Sequence, residues 1–315
     1  MFLELTRRRN PALIRDAVAL HRAGLIPPNT SVIDLDAVGR NADACVAEAA
    51  AHGLTPFAMT KQIGRNPDVS AALVRHGITH AVGVDLECAI AARAGGLATG
   101  HLGHLVQIPR HSAAAAAALE PAYWTVFSLE KAREAGAASV AAGREQPVLA
   151  RIHAEGDRFY RGHEGGFDAA SIVEVADQID AIDGVRFAGI TSFPATLFDA
   201  AAGAAVSTPN LATLTRAKEA LLASGRDHVE AQCPRHHLHV DSRHACRSGC
   251  HAGRARARAH GHHAASRGDR LGRGPGDRLR QRGVPPVGIR CLCLRGRPVR
   301  RPRARRRTHA CPRGR

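Results

Sequence analysis

Through residue 234 the apolar positions switch repeatedly between the two-residue period of a strand and the three-to-four-residue period of an amphipathic helix. Asn10 followed by Pro11 reads as a helix cap with proline at the first helical position, and Leu13, Ala17 and Leu20 continue at helical spacing until Gly24. Residues 31–38, rich in β-branched side chains, predict a strand, and the alanine-rich stretch 41–52 predicts a helix that stops at Gly53. Seven further strands are predicted at 56–60, 80–84, 104–108, 123–128, 148–153, 187–192 and 228–232. Helical stretches at 68–76, 86–94, 112–119, 130–142, 169–182 and 210–223 separate them. Strand and helix alternating in this way favour a parallel sheet with right-handed crossovers. The order suits a (β/α)8 barrel that stops one strand short, and an open doubly wound sheet would also produce it. No Gly-x-Gly-x-x-Gly follows a strand, which argues against a dinucleotide fold.

Charge divides the chain where the periodicity ends. Residues 1–234 hold 21 Lys and Arg against 25 Asp and Glu, whereas residues 235–315 hold 23 Arg against three Asp, with no Lys, Glu or aromatic residue. The overall +16 therefore describes neither part. The second part has little from which to build a core and predicts a disordered basic tail. The expected organisation is an N-terminal helix and linker over 1–30, an α/β barrel over 31–234 and the tail over 235–315. Arg7, Arg8 and Arg9 lead into an amphipathic pattern unlike a secretory leader, and no apolar run is long enough to span a membrane. Cys45, Cys88 and Cys233 form no even, closely spaced set, so a cytoplasmic, reducing setting is expected.

Lysine is scarce: Lys61, Lys131 and Lys218 stand beside 41 Arg. An amine can lose its proton at moderate pH and a guanidinium cannot, so a lysine at a special position invites chemistry. Lys131 and Lys218 fall on the polar faces of predicted helices and read as solvated charges. Lys61 ends the apolar strand 56–60 on its C-terminal side, the face where parallel barrels carry their functional groups. A partly desolvated lysine there could form a Schiff base; spacing alone leaves that reading beside the plainer one of a surface charge.

Two segments carry a family resemblance: Ile33-Asp34-Leu35-Asp36-Ala37 and Met59-Thr60-Lys61-Gln62-Ile63-Gly64-Arg65-Asn66-Pro67. Together they resemble the alanine racemase N-terminal domain of fold-type III pyridoxal-phosphate enzymes, in the branch of amino-acid racemase relatives. The resemblance covers residues 1–234 and implies an alanine-racemase-type barrel, pyridoxal 5'-phosphate as cofactor, an internal aldimine through Lys61, an amino-acid substrate and a homodimer. No metal is implied. Arg151-Ile152-His153, followed by Gly156 and a glycine-rich loop over 158–167, is similar to the family's fifth-strand region. Arg151 is thereby a candidate contact to the cofactor's phenolic oxygen or the substrate carboxylate; as a bare sequence feature it is equally a barrel-interior charge paired with a neighbour. Gly189-Ile190-Thr191-Ser192-Phe193-Pro194 falls where the family has a histidine against the cofactor ring, and Ser192 stands in its place. His76, His80, His153 and His163 are isolated and read as surface or core positions.

The tail reads as out-of-frame translation of GC-rich coding DNA. Back-translated with C-ending codons where allowed and shifted by one base, residues 235–240 become Gly-Thr-Thr-Ser-Thr-Ser, a hydroxyl-rich loop directly after the last predicted strand. Barrels of this kind bind phosphate at that place. A frameshift implies a truncated barrel without its eighth strand or a C-terminal β-domain, bare sheet edges at 56–60 and 228–232, and poor activity of the product. Other readings are a pyridoxal-phosphate decarboxylase of the same fold, a cofactor-free lysine aldolase, and a basic protein holding nucleic acid non-specifically through the tail. A zinc site at Cys246, Cys250, His260, His262 and His263 fits no standard spacing.

Overall fold

The computed structural model describes residues 2–199, 201, 203–234 and 290–294. Helices α1 (Phe2–Arg9) and α2 (Pro11–Arg22) come first. Asn10 caps α2 as expected, its side-chain oxygen accepting from the Leu13 amide at 3.1 Å. The Asn10 amide also donates to Asp34 at 2.5 Å. Asp34 accepts in turn from the Ala37 N–H at 2.9 Å and caps α3 (Leu35–Ala51). These two donors hold the Asp34 carboxyl below the usual carboxylate range. The strand expected over 31–38 is therefore not formed: the cap starts a helix inside the β-branched run, and residues 31–34 pair with no strand.

From Thr55 strand and helix alternate: β1 (Thr55–Met59), α4 (Pro67–Arg75), β2 (His80–Gly83), α5 (Leu86–Ala94), β3 (Ala98–Leu102), α6 (Ala113–Ala117), β4 (Tyr123–Val126) and α7 (Leu129–Ala141). The chain continues through β5 (Gln146–His153), the short β6 (Phe167–Asp168), α8 (Ile172–Asp180), β7 (Val185–Thr191), the hairpin β8 (Thr196–Asp199) and β9 (Ala204–Ser207), α9 (Pro209–Ala223) and β10 (Glu230–Pro234). Strands β1, β2, β3, β4, β5, β7 and β10 pair in that order, all parallel. This is the curled parallel sheet the alternation predicts; the two-residue β6 pairs in parallel only with the end of β5, and among the described residues no parallel strand lies between β10 and β1.

The gap between β10 and β1 is filled by β11 (Arg290–Leu294), antiparallel to both, with Ala58 opposite Cys291 and Cys233 opposite Cys293. The edges expected to be bare are thus paired. Exposed strand edges offer unpaired N–H and C=O groups to any extended segment of suitable length, and a tail segment takes them up. The rest of the tail, with its expected disorder and its Cys and His residues, lies outside the described residues.

The strand expected over 104–108 sits earlier, at β3. Gly100 and Gly103 make 98–103 look like a loop, yet Gly100 belongs in the strand because a Cβ there would lie 2.7 Å from the Phe57 ring. The main core lies between the sheet and its helices, where Ile152, Ile190, Leu214 and Leu221 are fully buried. Each such side chain contributes about 1.5–3 kcal/mol. A second cluster under α3 and α4 packs Ala42, Cys45 and Leu73 on Ala58 and Ala81.

Candidate active site

Strand parity sets which side chains reach the barrel interior. Phe57 and Met59 of β1 meet Val82 and Tyr123 inside, whereas Ala58 faces the outer helices. After Met59 the chain enters one 3₁₀ turn, Lys61–Ile63, closed by the Ile63 and Arg65 amides donating to the Thr60 carbonyl at 3.1 and 3.0 Å. Lys61 is half-buried at this strand end and forms no hydrogen bond or ion pair among the described residues.

Arg151 comes from β5, whose Val148, Ala150 and Ile152 point outward into the core. Its side chain is fully buried and lies 4.9 Å above the Phe127 ring. Nη2 donates to the His163 carbonyl at 2.6 Å and more weakly to that of Phe193 at 3.5 Å. Among the described residues Nε and Nη1 have no hydrogen-bond partner. Burial pushes the Arg151 pKa down to about 10, with Glu164 opposing the shift, so the group stays cationic at neutral pH. Among the described residues Arg151 donates to backbone carbonyls and to no carboxylate, and Glu164 acts on it only through its charge. Gly166 makes the close packing possible, since a Cβ there would sit 2.5 Å from the Arg151 carbonyl oxygen.

Two histidines join this mouth that the sequence reading passed over. His101, in β3, is fully buried, with Nδ1 bonded to the Gln232 amide and Nε2 to the Thr125 hydroxyl. Gln232 accepts from the Thr191 hydroxyl at 3.0 Å, so β3, β4, β7 and β10 are tied across the interior. His104 lies just beyond β3. Gly103, at φ 74°, turns the chain there, and Gln107 holds the turn through bonds to the Gly103 and Thr125 carbonyls at 3.3 and 3.2 Å and from the Phe127 amide at 3.0 Å. The His104 ring is fully buried, 5.0 Å from that of His101 and edge-on to Phe193 at 5.7 Å. Among the described residues neither ring nitrogen has a hydrogen-bond partner. Burial lowers the His101 pKa to about 3. It also holds His104 well below the usual histidine value, with His101, Arg151, Lys61 and His163 adding to the effect. Both rings are neutral at pH 7. The available signal was Gly103 between two histidines, hidden by placing the strand at 104–108.

Ser192 stands at the end of β7, fully buried, its hydroxyl accepting from the Asn210 amide at 3.1 Å on the α9 side. Its own proton is given to no acceptor among the described residues. Asn210 also brackets the backbone of Arg158, which pins the loop after β5 against the barrel. Within that loop, Tyr160 and His163 lie against Phe193 with ring centroids 5.7 and 6.3 Å away, so His163 is not isolated. His76 bonds Asp43 at 2.9 Å and His80 stacks on Phe57, both away from the mouth. Lys131 bonds the Ile108 carbonyl and Glu134, and Lys218 is buried at 6% exposure, a departure from its expected solvation. An amphipathic helix packed on its neighbours covers side chains that single-helix periodicity places at the margin.

Among the described residues no cluster of His, Cys, Asp or Glu could hold a metal, and no helix is long and apolar enough to cross a membrane. Fold and site together define a parallel α/β-barrel protein with Lys61 and the buried Arg151 and His104 at the C-terminal ends of its strands. The chain belongs to the family described as alanine racemase, N-terminal domain, which residues 33–238 match. It is 42% identical over 225 residues to the uncharacterized protein YhfX of Escherichia coli strain K12, an overlap of 71% of this chain and 58% of that protein. It therefore spans less than two thirds of that relative's length. Among solved structures it is similar to a SrLDC mutant in complex with PLP, with TM-score 0.51 and 15% identity over 66% of this chain and 52% of that one. Alanine racemase from Clostridium difficile 630 is similar with TM-score 0.46 and 14% identity over 64% and 50%. At these identities the likeness is one of fold.

Proposed function

We propose that this chain takes up pyridoxal 5'-phosphate at Lys61 and is the barrel part of a racemase-like isomerase acting on an amino acid. The observation that carries the reading is the pocket's unmet hydrogen-bonding capacity. The Lys61 amine, just past the first barrel strand, sits near a buried guanidinium with two nitrogens unpartnered among the described residues and a buried imidazole with two more. Leaving buried polar groups unpartnered costs about 1–3 kcal/mol each, which points to a bound group that satisfies them. A cofactor with a carbonyl carbon and anionic oxygens fits that donor set.

When bound, the cofactor supplies an electron sink for negative charge at the substrate Cα. Lys61 would hold the carbonyl carbon and move a proton at Cα. Arg151 would donate Nε–H and Nη1–H to the phenolic oxygen or the substrate carboxylate, and Ser192 would offer its free hydroxyl proton at the strand end. The phosphate would lie after the seventh and eighth strands, and the segment following β10 lies outside the described residues. We read that segment as out of frame, so that cofactor binding is weak and turnover poor in the chain as it stands; sequencing independent DNA across codons 228–240 tests this. The intact relative would work as a homodimer.

The direct test is a visible-absorption titration with millimolar pyridoxal phosphate. A bound-cofactor band that is removable by Lys61→Ala supports the reading. Borohydride inactivation that needs an aldehyde substrate and no cofactor would point instead to a cofactor-free aldolase.

A further inference from the structure

We propose that His104 is a ligand-contacting residue of this site, its neutral imidazole held in reserve to donate one hydrogen bond and accept another from the molecule bound between Lys61 and Arg151. The proposal rests on the reading of the pocket as a pyridoxal-phosphate site.

The barrel contains its own control. His101 and His104 lie side by side, both fully buried. His101 shows what a structural histidine looks like here: each nitrogen is bonded, to Gln232 on one side and Thr125 on the other. His104 has the same burial and neither bond. Its position is nevertheless closely specified, by the left-handed turn at Gly103, by the three hydrogen bonds through which Gln107 ties that turn to Thr125 and Phe127, and by packing between His101 and Phe193. An apolar side chain would pack as well in that place without stranding two polar atoms. Four groups act on it electrostatically, His101, Arg151, Lys61 and His163, and of these Lys61 and Arg151 are the ones to which the cofactor is assigned.

Two measurements on the full-length chain, each made on His104→Leu and His104→Gln, decide the matter. Without added cofactor, His104→Leu should melt at or above the temperature of the unaltered chain, because it removes stranded polar atoms at similar volume. Its affinity for pyridoxal phosphate should fall at least about tenfold, and His104→Gln, which keeps a donor and an acceptor, should recover part of that loss. A lower melting temperature in His104→Leu would show that the ring serves the fold and would overturn the proposal whatever the affinity. Unchanged affinity in His104→Leu would overturn it while leaving the Lys61 reading intact. Failure of the unaltered chain to bind pyridoxal phosphate would remove the Lys61 reading and this proposal with it.

Discussion

The Asn210 amide donates to the Ser192 hydroxyl at 3.1 Å, and the same amide accepts from the Arg158 N–H at 2.9 Å and donates to the Arg158 carbonyl at 3.1 Å. One buried side chain on α9 thus joins the end of β7 to the loop that follows β5. Thr213, one helical turn on, adds a bond to Asp157 of the same loop at 2.8 Å. Asn210→Ala should destabilise the fold by about 1–3 kcal/mol. It should also speed tryptic cleavage after Arg158 and Arg161, both exposed. Unchanged cleavage would mean that the loop is held by its ring contacts alone.

Acid should weaken the barrel before its carboxylates titrate. The His101 pKa of about 3 lies below the ordinary 6.5, and His104 is lowered in the same direction. Between these values the unfolded chain binds more protons than the native one. The contribution of the neutral rings is therefore complete above the unfolded value and is lost as pH falls through the window. Each histidine contributes at most about 1.4 kcal/mol per pH unit. Urea midpoints at pH 7.0 and 5.5 should differ accordingly, less so in His104→Leu; a midpoint unmoved over that interval would contradict the burial of the pair.

Gly166 separates backbone strain from contact with Arg151. Gly165 and Gly166 both have positive φ, 104° and 122°. A Cβ at Gly165 meets only Phe127, at 3.7 Å, while one at Gly166 meets the Arg151 backbone at 2.5 Å. Gly166→Ala should therefore cost about 1–3 kcal/mol and reduce cofactor capture, and Gly165→Ala should carry only the conformational share. Equal effects of the two substitutions on cofactor binding would detach Gly166 from the site.

Much of the barrel was legible because its strands and helices are short, regular and separated by clear stops. The helix Leu86–Ala94 has the bounds its periodicity predicts, and Lys61 stood out because lysine is rare and this one ends an apolar strand. Errors arose where a local signal was outvoted by a contact distant in sequence. Gly100 reads as a loop until Phe57 is packed on it, and the 31–38 run reads as a strand until Asn10 and Asp34 fix a helix start. His104 was invisible because its meaning lies in bonds it does not make, which only the folded neighbourhood reveals. The pairing of β11 between β1 and β10 could not be read either, since nothing local in Arg290–Leu294 specifies a partner some 230 residues away.

Capture of pyridoxal phosphate by Lys61 can be tested directly, because the chain has only three lysines. The full-length protein is incubated with pyridoxal phosphate, reduced with borohydride, digested and mapped by mass spectrometry. A pyridoxyl label is expected on the peptide bearing Lys61, with Lys131 and Lys218 unlabelled at the same cofactor concentration. Equal labelling of all three, or a label confined to Lys131 or Lys218, would contradict it.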